Sequence, residues 1–443
     1  MPVPHAIELP DRVPKERYFD PEFYRLEAEQ LWPRTWQMAC RLEEIPGARD
    51  FVEYEILDQS VIVVRGDDGE VRAFHNACRH RGVRVIEGPG TCENGFTCPF
   101  HGWCYGTDGR NTFVSRPGTF SEHNLQPGEI DLVPVQCEVW GGCAWVNLDP
   151  GAPPLRACIE PFATVMDAWK LETMRAEWWY AFRLPVNWKL AEEAFLEQYH
   201  VLETHPQLRI PGRFPPRDGA AFDPAAFVEA ELHYLRTMSE GMAGMVHATD
   251  VRIAEGLRDI ELPADAALAR SVWDRTLNDA VTGWHRAAGS EIPDLNDLGE
   301  LNEPMGYCFP HFFVLPMYSS ASSYRFRPLG PEETLMEIWS LTRFPKGKEP
   351  EPPPSPEPWE FDDPRVPPIP TQDFSNLPRQ QRGLHSKAFE YMRLSAGIEG
   401  GVANFERTVD GFLAGLPYER LLPALRELNV NPLERPVVDL GLS

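Results

Sequence analysis

The stretch CPFHGWCYGTDG, residues 98–109, places a cysteine and a histidine three positions apart at the start of a glycine-rich segment. A similar but shorter stretch, CRHRG at residues 78–82, precedes it. Each stretch offers one thiolate and one imidazole within a tight loop, and both groups are common metal ligands. Two such loops brought together would supply four ligands, so the pair predicts a metal site.

Two kinds of site use this combination of ligands. One is a zinc site with mixed ligands, and the other is a two-iron, two-sulfur cluster in which two histidines replace two cysteines on one iron. Zinc sites usually leave a gap of about two to four residues within each pair, so Cys78-x-His80 is tight for zinc. The glycines and aromatic residues of residues 98–109 suit a loop that packs over a cluster. The spacing therefore favours the cluster.

The segment around these loops has the pattern of a small β domain. Short alternating runs, separated by Gly, Asp-Gly and Pro turns, extend from about residue 36 to residue 155. The clearest runs are DFVEYEI, SVIVVRG, VRAFHNA and CAWVNLD. They predict an antiparallel sheet that presents the two loops.

The two loops together resemble the Rieske cluster-binding motif. The resemblance implies a [2Fe-2S] cluster in which Cys78 and Cys98 hold one iron while His80 and His101 hold the other. Histidine ligation raises the reduction potential relative to an all-cysteine cluster. Such a cluster suits an acceptor that passes electrons onward.

A second candidate site lies in EQYHVLETHP, residues 197–206. Its histidines, His200 and His205, are five positions apart, and such positions diverge by about 140° on a helix. Pro206 disfavours helical backbone at the residue before it, so we expect His205 just past a helix end. We expect His200 to end a helix that begins near Asn187.

The longer stretch NWKLAEEAFLEQYHVLETHPQL, residues 187–208, resembles the large (alpha) subunit of the Rieske non-haem iron oxygenases, which include the aromatic-ring-hydroxylating dioxygenases. The resemblance implies that His200 and His205 belong to a 2-His-1-carboxylate triad that holds Fe(II). It also implies that Glu197 is a bridge for electrons between the iron site of one subunit and the cluster of its neighbour. In the family this position is more often Asp.

The third iron ligand of the family is an acid shortly before a C-terminal helix. The matching segment here is SAGIEGGVANFERTVDGFL, residues 395–413, and Gly401 stands at the ligand position. We predict that Glu399 takes the role, because the glycines after it are flexible. Glu406 and Asp410 are alternatives, and so is a degenerate site that leaves a subunit for electron transfer or assembly.

The whole chain is predicted to be α+β. The predicted domains are an N-terminal arm at 1–35, an antiparallel β Rieske domain at 36–155, and a catalytic domain at 156–443 whose curved antiparallel sheet is surrounded by helices. Residues 346–370 are rich in proline and predict a surface loop. A final helical region is expected from about residue 380 to 414. Candidate wall residues of the iron pocket are Phe309, Phe312, Phe313, Leu315, Tyr324 and Phe326. His311 is a candidate polar anchor there, and a histidine satisfied within the strands is the favoured alternative.

The resemblance implies an oxygenase component that uses O2 and electrons to hydroxylate an aromatic or other largely apolar small molecule. Electrons would come from NAD(P)H through a flavin reductase, with or without a ferredoxin, and the assembly would be a homotrimer or include a small beta subunit. The formal net charge of −25 argues against nucleic-acid and anionic-membrane partners. The N-terminal residues have no apolar leader, so we expect a cytoplasmic protein. The uncharged run at 305–324 contains prolines and serines, which favours two strands over a membrane span.

Overall fold

A computed structural model of the protein describes residues 3–214, 221–302, 305–429 and 436–442. The chain divides into two compact units. One unit comprises Arg25–Cys158, and the other comprises Met1–Tyr24 together with Ile159–Ser443. The second of these contains most of the predicted catalytic domain and is called the catalytic unit here. Residues 1–24 therefore belong to the catalytic unit and not to a separate arm.

The N-terminal segment joins the catalytic unit through a short strand and a buried arginine. Strand β1 (Arg12–Pro14) pairs antiparallel with Tyr391–Arg393. The Arg17 side chain is fully buried and lies 2.5 Å from Glu406 Oε2 and 2.5 Å from Asp410 Oδ1. Because a buried guanidinium needs anionic partners, these ion pairs fix the segment against a helix almost four hundred residues later. Helix α1 (Pro21–Leu26) follows and leads into the unit at 25–158.

The unit at 25–158 is an antiparallel β domain, as the alternating runs predict. Its main sheet has the strand order β2-β11-β10-β5-β4-β3-β6, and a small sheet has the order β7-β8-β9. Alternate residues of β3 are buried, so one face of that strand packs on the core. The strands are β2 (Gln37–Arg41), β3 (Asp50–Ile56), β4 (Gln59–Arg65), β5 (Val71–His75), β6 (Gly90–Thr91), β7 (Phe96–Thr97), β8 (Cys104–Tyr105), β9 (Asn111–Phe113), β10 (Pro134–Trp140) and β11 (Cys143–Asn147).

The catalytic unit is built on a six-stranded sheet with the order β13-β14-β15-β16-β12-β17. Its pairs are antiparallel except for β12 with β17. A turn at Tyr318, which has a φ of 55°, joins β14 to β15. The run at 305–324 therefore forms strands and a turn, as predicted. The strands are β12 (Arg175–Leu184), β13 (Gly306–Cys308), β14 (Phe312–Met317), β15 (Ser320–Gly330), β16 (Glu333–Thr342), β17 (Trp359–Glu360) and β18 (Tyr391–Arg393).

Helices surround this sheet. The helical region expected at 380–414 is helical at both ends, but strand β18 and the turn before residue 400 interrupt it. No α-helix in the described residues is long and apolar enough to cross a membrane. The helices are α2 (Leu155–Ile159), α3 (Phe162–Ala168), α4 (Trp188–Glu193), α5 (Val201–Thr204), α6 (Pro224–Gly241), α7 (Ala248–Glu255), α8 (Ala266–Ala288), α9 (Pro368–Leu384), α10 (Gly400–Leu413) and α11 (Tyr418–Leu428).

The proline-rich segment is irregular from residue 348 to 358, and strand β17 then pairs with β12. Helix α9 begins at Pro368, inside the predicted loop at 346–370. Proline is favourable in the first turn of a helix because the backbone N–H groups there have no intrahelical partner. The prolines at the end of the segment therefore start a helix instead of extending the loop.

Candidate metal centres

The loop that begins at Cys78 is closed by two backbone hydrogen bonds. The Gly82 N–H donates to the Cys78 carbonyl at 2.8 Å, and the Cys78 N–H donates to the Val83 carbonyl at 2.8 Å. Gly82 has a φ of 77°, a conformation that residues with a Cβ rarely adopt. The glycine therefore allows the loop to turn back tightly around the cysteine.

The loop that begins at Cys98 repeats this geometry. The Gly102 N–H donates to the Cys98 carbonyl at 3.0 Å, the Cys98 N–H donates to the Trp103 carbonyl at 2.8 Å, and Gly102 has a φ of 73°. The two loops thus hold their cysteines in equivalent positions.

The four predicted cluster ligands come together at the ends of these loops. The Nδ1 atoms of His80 and His101 are 3.1 Å apart, and the His80 ring stacks on Trp103 at 5.2 Å between centroids. Both cysteines are buried, whereas His101 is exposed and His80 is partly exposed. The structure therefore brings the two thiols together inside the domain and the two imidazoles together at its surface.

The electrostatics of the loops fit a cationic cluster. Burial raises the pKa of Cys78, and the neighbouring Cys98 raises it further. Desolvation lowers the pKa of His80, and His101 beside it adds to the effect. Bound ferric iron would stabilise the thiolates and accept the neutral imidazoles, so these four residues fit the cluster that the motif implies.

Tyr105 is a further residue of this site that the sequence did not indicate. Its hydroxyl lies 3.2 Å from Cys78 Sγ and accepts a hydrogen bond from the Arg79 N–H at 3.0 Å. Burial raises the pKa of Tyr105, so the phenol is protonated, and its hydroxyl would donate a hydrogen bond to Cys78 Sγ once that sulfur is a thiolate ligand. The contact depends on the turn that brings β8 back to the loop that begins at Cys78. The spacing of residues within 98–109 does not reveal it.

The second site is formed by His200, His205 and Asp373. Each of the three residues offers one ligand atom, and these three atoms lie within 4.8 Å of one another. The Oδ1 atom of Asp373 is 3.2 Å from His205 Nε2 and 3.7 Å from His200 Nε2. Two imidazole nitrogens and a carboxylate oxygen thus converge on one point, which fits a divalent cation of the kind held by a 2-His-1-carboxylate site.

The backbone between the two histidines is partly as predicted. His205 terminates α5 with φ −117° and ψ 69°, so it lies just past a helix end. The expectation that His200 ends the helix starting near Asn187 is wrong, because α4 ends at Glu193. Residues 194–200 form turns instead, and Phe195 among them packs on Tyr324 at 4.9 Å between ring centroids. Tertiary packing of that aromatic ring favours the turn over continued helix.

Glu197 lies in these turns and contacts His200 twice. Its Oε1 is 2.5 Å from His200 Nδ1, and its Oε2 accepts the His200 backbone N–H at 3.0 Å. Because the acceptor is a carboxylate, Nδ1 carries the proton and Nε2 is left with a lone pair for a metal. Glu197 therefore orients the ligand histidine.

Gln372 holds the other histidine in the same way. Its Oε1 accepts from His205 Nδ1 at 2.7 Å, and a reciprocal amide pair with Gln207 fixes its own orientation at 2.8 and 3.1 Å. Burial acts to lower the pKa of His205, but Asp373 and Gln372 raise it overall. The negative environment at His205 Nε2 is favourable for a cation.

The structure does not bring Glu399 into this group of three, in which Asp373 supplies the carboxylate. Glu399 precedes α10, and its Oε2 accepts the Ser395 N–H at 2.7 Å. It lies near Glu197, and burial together with that neighbour raises its pKa. A helix begins directly after Glu399, so the two glycines are in α10 and do not provide the flexible reach that the prediction required.

Glu406 and Asp410, which the sequence also offers as third ligands, are engaged elsewhere. Both lie on α10, and both pair with the buried Arg17. They support the attachment of the N-terminal segment and do not face the histidine pair.

A signal for Asp373 does exist in the sequence. Ile369, Asp373 and Leu377 are spaced four residues apart, and both apolar residues are buried on α9. An acid within the apolar stripe of a helix is costly unless it has a cationic partner. The sequence predicts a loop at 346–370 and a last helical region from about residue 380. Asp373 lies between these two predicted elements, so neither of them includes it.

The three residues line a cavity of about 490 Å³ in the catalytic unit. Of the predicted wall residues, Leu315 and Tyr324 line it. The expectation is wrong for the others, which are buried within the sheet and its core: Phe309, Phe312, Phe313 and Phe326. His311 is buried away from the cavity with its Nδ1 3.1 Å from the Phe326 carbonyl oxygen, so it is a satisfied histidine and not a polar anchor. Phe313 and Phe326 share a strand face with Leu315 and Tyr324, respectively, but their rings pack on Phe195. Six methionines also line it, namely Met238, Met242, Met245, Met305, Met317 and Met336.

The fold and both centres define a protein that combines a Rieske domain with a non-haem metal site. Residues 35–121 match the family model of the Rieske [2Fe-2S] domain, and residues 164–415 match that of the ring hydroxylating alpha subunit (catalytic domain). The chain therefore belongs to the ring-hydroxylating alpha subunit family. This membership implies a Rieske [2Fe-2S] cluster and a mononuclear iron.

Relatives in sequence align over about half of their own length. The carnitine monooxygenase oxygenase subunit of Escherichia coli K12 is 31% identical over 44% of this chain and 52% of its own. The anthranilate 1,2-dioxygenase large subunit of Acinetobacter baylyi is 32% identical over 44% of this chain and 42% of its own.

Solved structures share the fold over most of the chain. A quaternary ammonium Rieske monooxygenase in complex with gamma-butyrobetaine has a TM-score of 0.60 at 17% identity and covers 91% of this chain and 96% of its own. Naphthalene 1,2-dioxygenase, as a mutant bound to phenanthrene, has a TM-score of 0.62 at 18% identity and covers 94% of this chain and 95% of its own. At these identities the likeness concerns the fold alone.

Proposed function

We propose that this protein is the oxygenase component of a multicomponent Rieske oxygenase. The observation that carries the proposal is the convergence of His200, His205 and Asp373 on one point at a largely apolar cavity. An iron held there would supply oxygen activation next to a bound substrate. The product would be a hydroxylated small molecule.

The residues around the iron would orient its histidine ligands and keep water away from it. Glu197 and Gln372 fix the orientation of the two histidine rings, and such outer contacts raise the affinity of a metal site. The methionine and aromatic side chains of the cavity exclude water from the reacting atoms. Methionine also adapts to ligands of irregular shape, which is consistent with a small organic substrate.

Electrons would reach this iron from a cluster held by Cys78, His80, Cys98 and His101. We infer a reductase, with or without a ferredoxin, as the donor to that cluster, with NAD(P)H as the ultimate source. Glu197 is the proposed bridge between subunits, which requires an oligomer such as a homotrimer, with or without a small beta subunit. We propose a cytoplasmic location.

The substrate need not be aromatic. Relatives are named for activity on carnitine, glycine betaine and anthranilate, so both aliphatic and aromatic molecules occur among them. We propose a small, largely apolar molecule that fits a cavity of about 490 Å³.

Anaerobic metal analysis tests the proposal. We expect about three irons and two acid-labile sulfides per chain. Asp373→Ala should lower the content to about two irons and remove oxygenase activity, while the cluster spectrum stays intact. The matched control Glu399→Ala should keep its mononuclear iron.

The opposite outcomes are equally informative. Iron lost from Glu399→Ala and kept in Asp373→Ala would return the ligand role to Glu399. Only about two irons in the unmodified chain would favour a subunit for electron transfer or assembly. Gly401 at the expected ligand position suggests such a subunit, and Asp373 now offers the missing carboxylate. Zinc as the main metal would refute the Rieske assignment.

A further inference from the structure

Arg213 is a cation in the wall of the otherwise largely apolar cavity. Among the described lining residues it is the one arginine or lysine, since the other charged or titratable groups are Glu197, Asp373, the two ligand histidines and two tyrosines. The Arg213 side chain is only 20% exposed. A charged group inside an apolar wall is costly, so its presence requires a partner or a use.

The position of Arg213 is fixed by its neighbours. Gly212 before it has a φ of 87°, and a Cβ at Gly212 would meet the Ala226 carbonyl oxygen at 3.2 Å. The Arg213 guanidinium lies 3.4 Å from the centroid of the Tyr234 ring and 5.4 Å from that of Phe214. This stacking holds the planar group in one orientation at the cavity wall.

The described residues do not satisfy all the hydrogen-bond donors of Arg213. Its Nε is 3.3 Å from Glu231 Oε1 in the ion pair, yet this buried Nε makes no hydrogen bond within the described residues. The same Glu231 oxygen accepts a hydrogen bond from Arg270 Nη2 at 2.8 Å, and that group also donates to the Arg213 carbonyl at 2.7 Å. Two guanidinium groups thus share one carboxylate.

The acids nearby match the two arginines in number. Asp274 also interacts with Arg213 and Arg270, and burial raises its pKa. What the described residues leave open is therefore hydrogen bonding at Arg213, whose free donors an anionic group on a ligand would engage.

We propose that Arg213 binds the carboxylate or sulfonate group of an otherwise apolar substrate. A planar guanidinium suits such oxyanions, and the methionine side chains of the same cavity suit the apolar body of the molecule. A second polar group is available in the cavity: the buried Tyr324 hydroxyl has no hydrogen-bond partner within the described residues. The inference deepens the proposed function and rests on it for the role of the ligand as substrate.

Binding can be measured without turnover. Isothermal titration calorimetry on the purified, metal-loaded protein under anaerobic conditions would compare matched probes: octanoate, octane-1-sulfonate and octanamide, then benzoate, benzenesulfonate and benzamide. Choline tests the opposite charge. We expect at least one anion to bind about tenfold or more tightly than its neutral amide, because a hydrogen bond to a charged group is the stronger kind. The carboxylate and sulfonate series distinguish the two oxyanions.

Variants assign the preference to Arg213. Arg213→Met should bind the anion and the amide about equally, and Arg213→Lys should keep part of the preference because it keeps the charge but not the planar fork. The matched control Arg209→Met removes an arginine of the same loop that pairs with Glu203, is 47% exposed and does not line the cavity. It should behave like the unmodified protein.

The inference is overturned if the unmodified protein binds amides as tightly as anions, if choline binds more tightly than both anions, or if Arg213→Met keeps the anion preference. The first two results come from the unmodified protein, so they count even if a variant does not fold. Failure of the proposed function is separate: a protein without mononuclear iron that still prefers anions would retain the Arg213 site and lose the oxygenase assignment.

Discussion

The two metal centres draw their ligands from very different distances along the chain. The cluster loops at 78–83 and 98–103 are neighbours in sequence, and each is closed by the same two backbone hydrogen bonds. The mononuclear site joins a histidine pair at 200 and 205 to an aspartate at 373. One centre is therefore specified by local sequence, and the other depends on how a distant helix packs.

The two centres differ in what fixes the geometry of their ligands: local turns of the backbone in one, and the packing of a helix in the other. In the cluster loops, glycines with positive φ allow a turn that each loop can make by itself. At the mononuclear site, Asp373 is placed by α9, whose Ile369, Phe374 and Leu377 are buried in the catalytic unit. A local motif is visible in the sequence, whereas a packed helix is visible only as an apolar stripe.

Loss of a cluster ligand should have the largest effect and should show that the centres are independent. Cys98→Ser should remove the cluster absorbance and all oxygenase activity, and lower the iron content from about three to about one per chain. The control Cys104→Ser changes a cysteine outside the ligand set and should keep the cluster. Loss of the mononuclear iron from Cys98→Ser as well would contradict the independence of the two sites.

The Arg17 ion pairs are a second long-range set, and their loss should destabilise the catalytic unit. Arg17→Met leaves the carboxylates of Glu406 and Asp410 buried without their cation, which should lower the free energy of unfolding by about 3–5 kcal/mol. Denaturant unfolding followed by far-UV circular dichroism measures this change, and cluster absorbance reports the other unit separately. The control Lys15→Met removes a solvent-exposed contact and should change the free energy by about 1 kcal/mol or less. Equal effects of the two variants would argue against a structural role for the buried pairs.

Gln372 should affect the iron site without being a ligand. Gln372→Leu keeps the side-chain volume but removes the acceptor of the His205 Nδ1 proton, which should weaken iron binding by about 10- to 100-fold. Competition with an iron chelator measures the affinity. Arg379→Ala, an exposed change on the same helix, should leave it unaltered. An unchanged affinity in Gln372→Leu would show that this hydrogen bond does not orient the ligand.

The smallest expected effect concerns the cluster potential. Tyr105→Phe removes the hydroxyl that donates to Cys78 Sγ, and this donor stabilises the more negative, reduced cluster. The midpoint potential should therefore fall by about 50 mV, which corresponds to roughly a tenfold change in a one-electron equilibrium. Tyr54→Phe, another buried tyrosine of the same unit, should leave the potential unchanged because its hydroxyl donates to Gln37. Equal potentials in both variants would exclude the Tyr105 contact as a determinant.

Much of the fold could be predicted because its elements have strong local patterns. Strands β3, β4, β5 and β11 follow the alternating runs, and β14 and β15 pair around the turn that the sequence indicates within 305–324. The prediction was wrong at α4, which ends at Glu193, and in the final helical region, which β18 interrupts. In both places tertiary pairing and packing outweigh helix periodicity.

Residues a few positions apart specify the family, the cluster loops and the histidine pair, because their backbone geometry is local. The carboxylate is different. The resemblance points to Glu399, Glu406 and Asp410 at or beside one helix, yet Arg17 engages two of them and Glu399 lies outside the group of three. Only the tertiary structure brings Asp373 to the histidines, since the burial of an apolar helix face decides which residues far apart in the chain become neighbours.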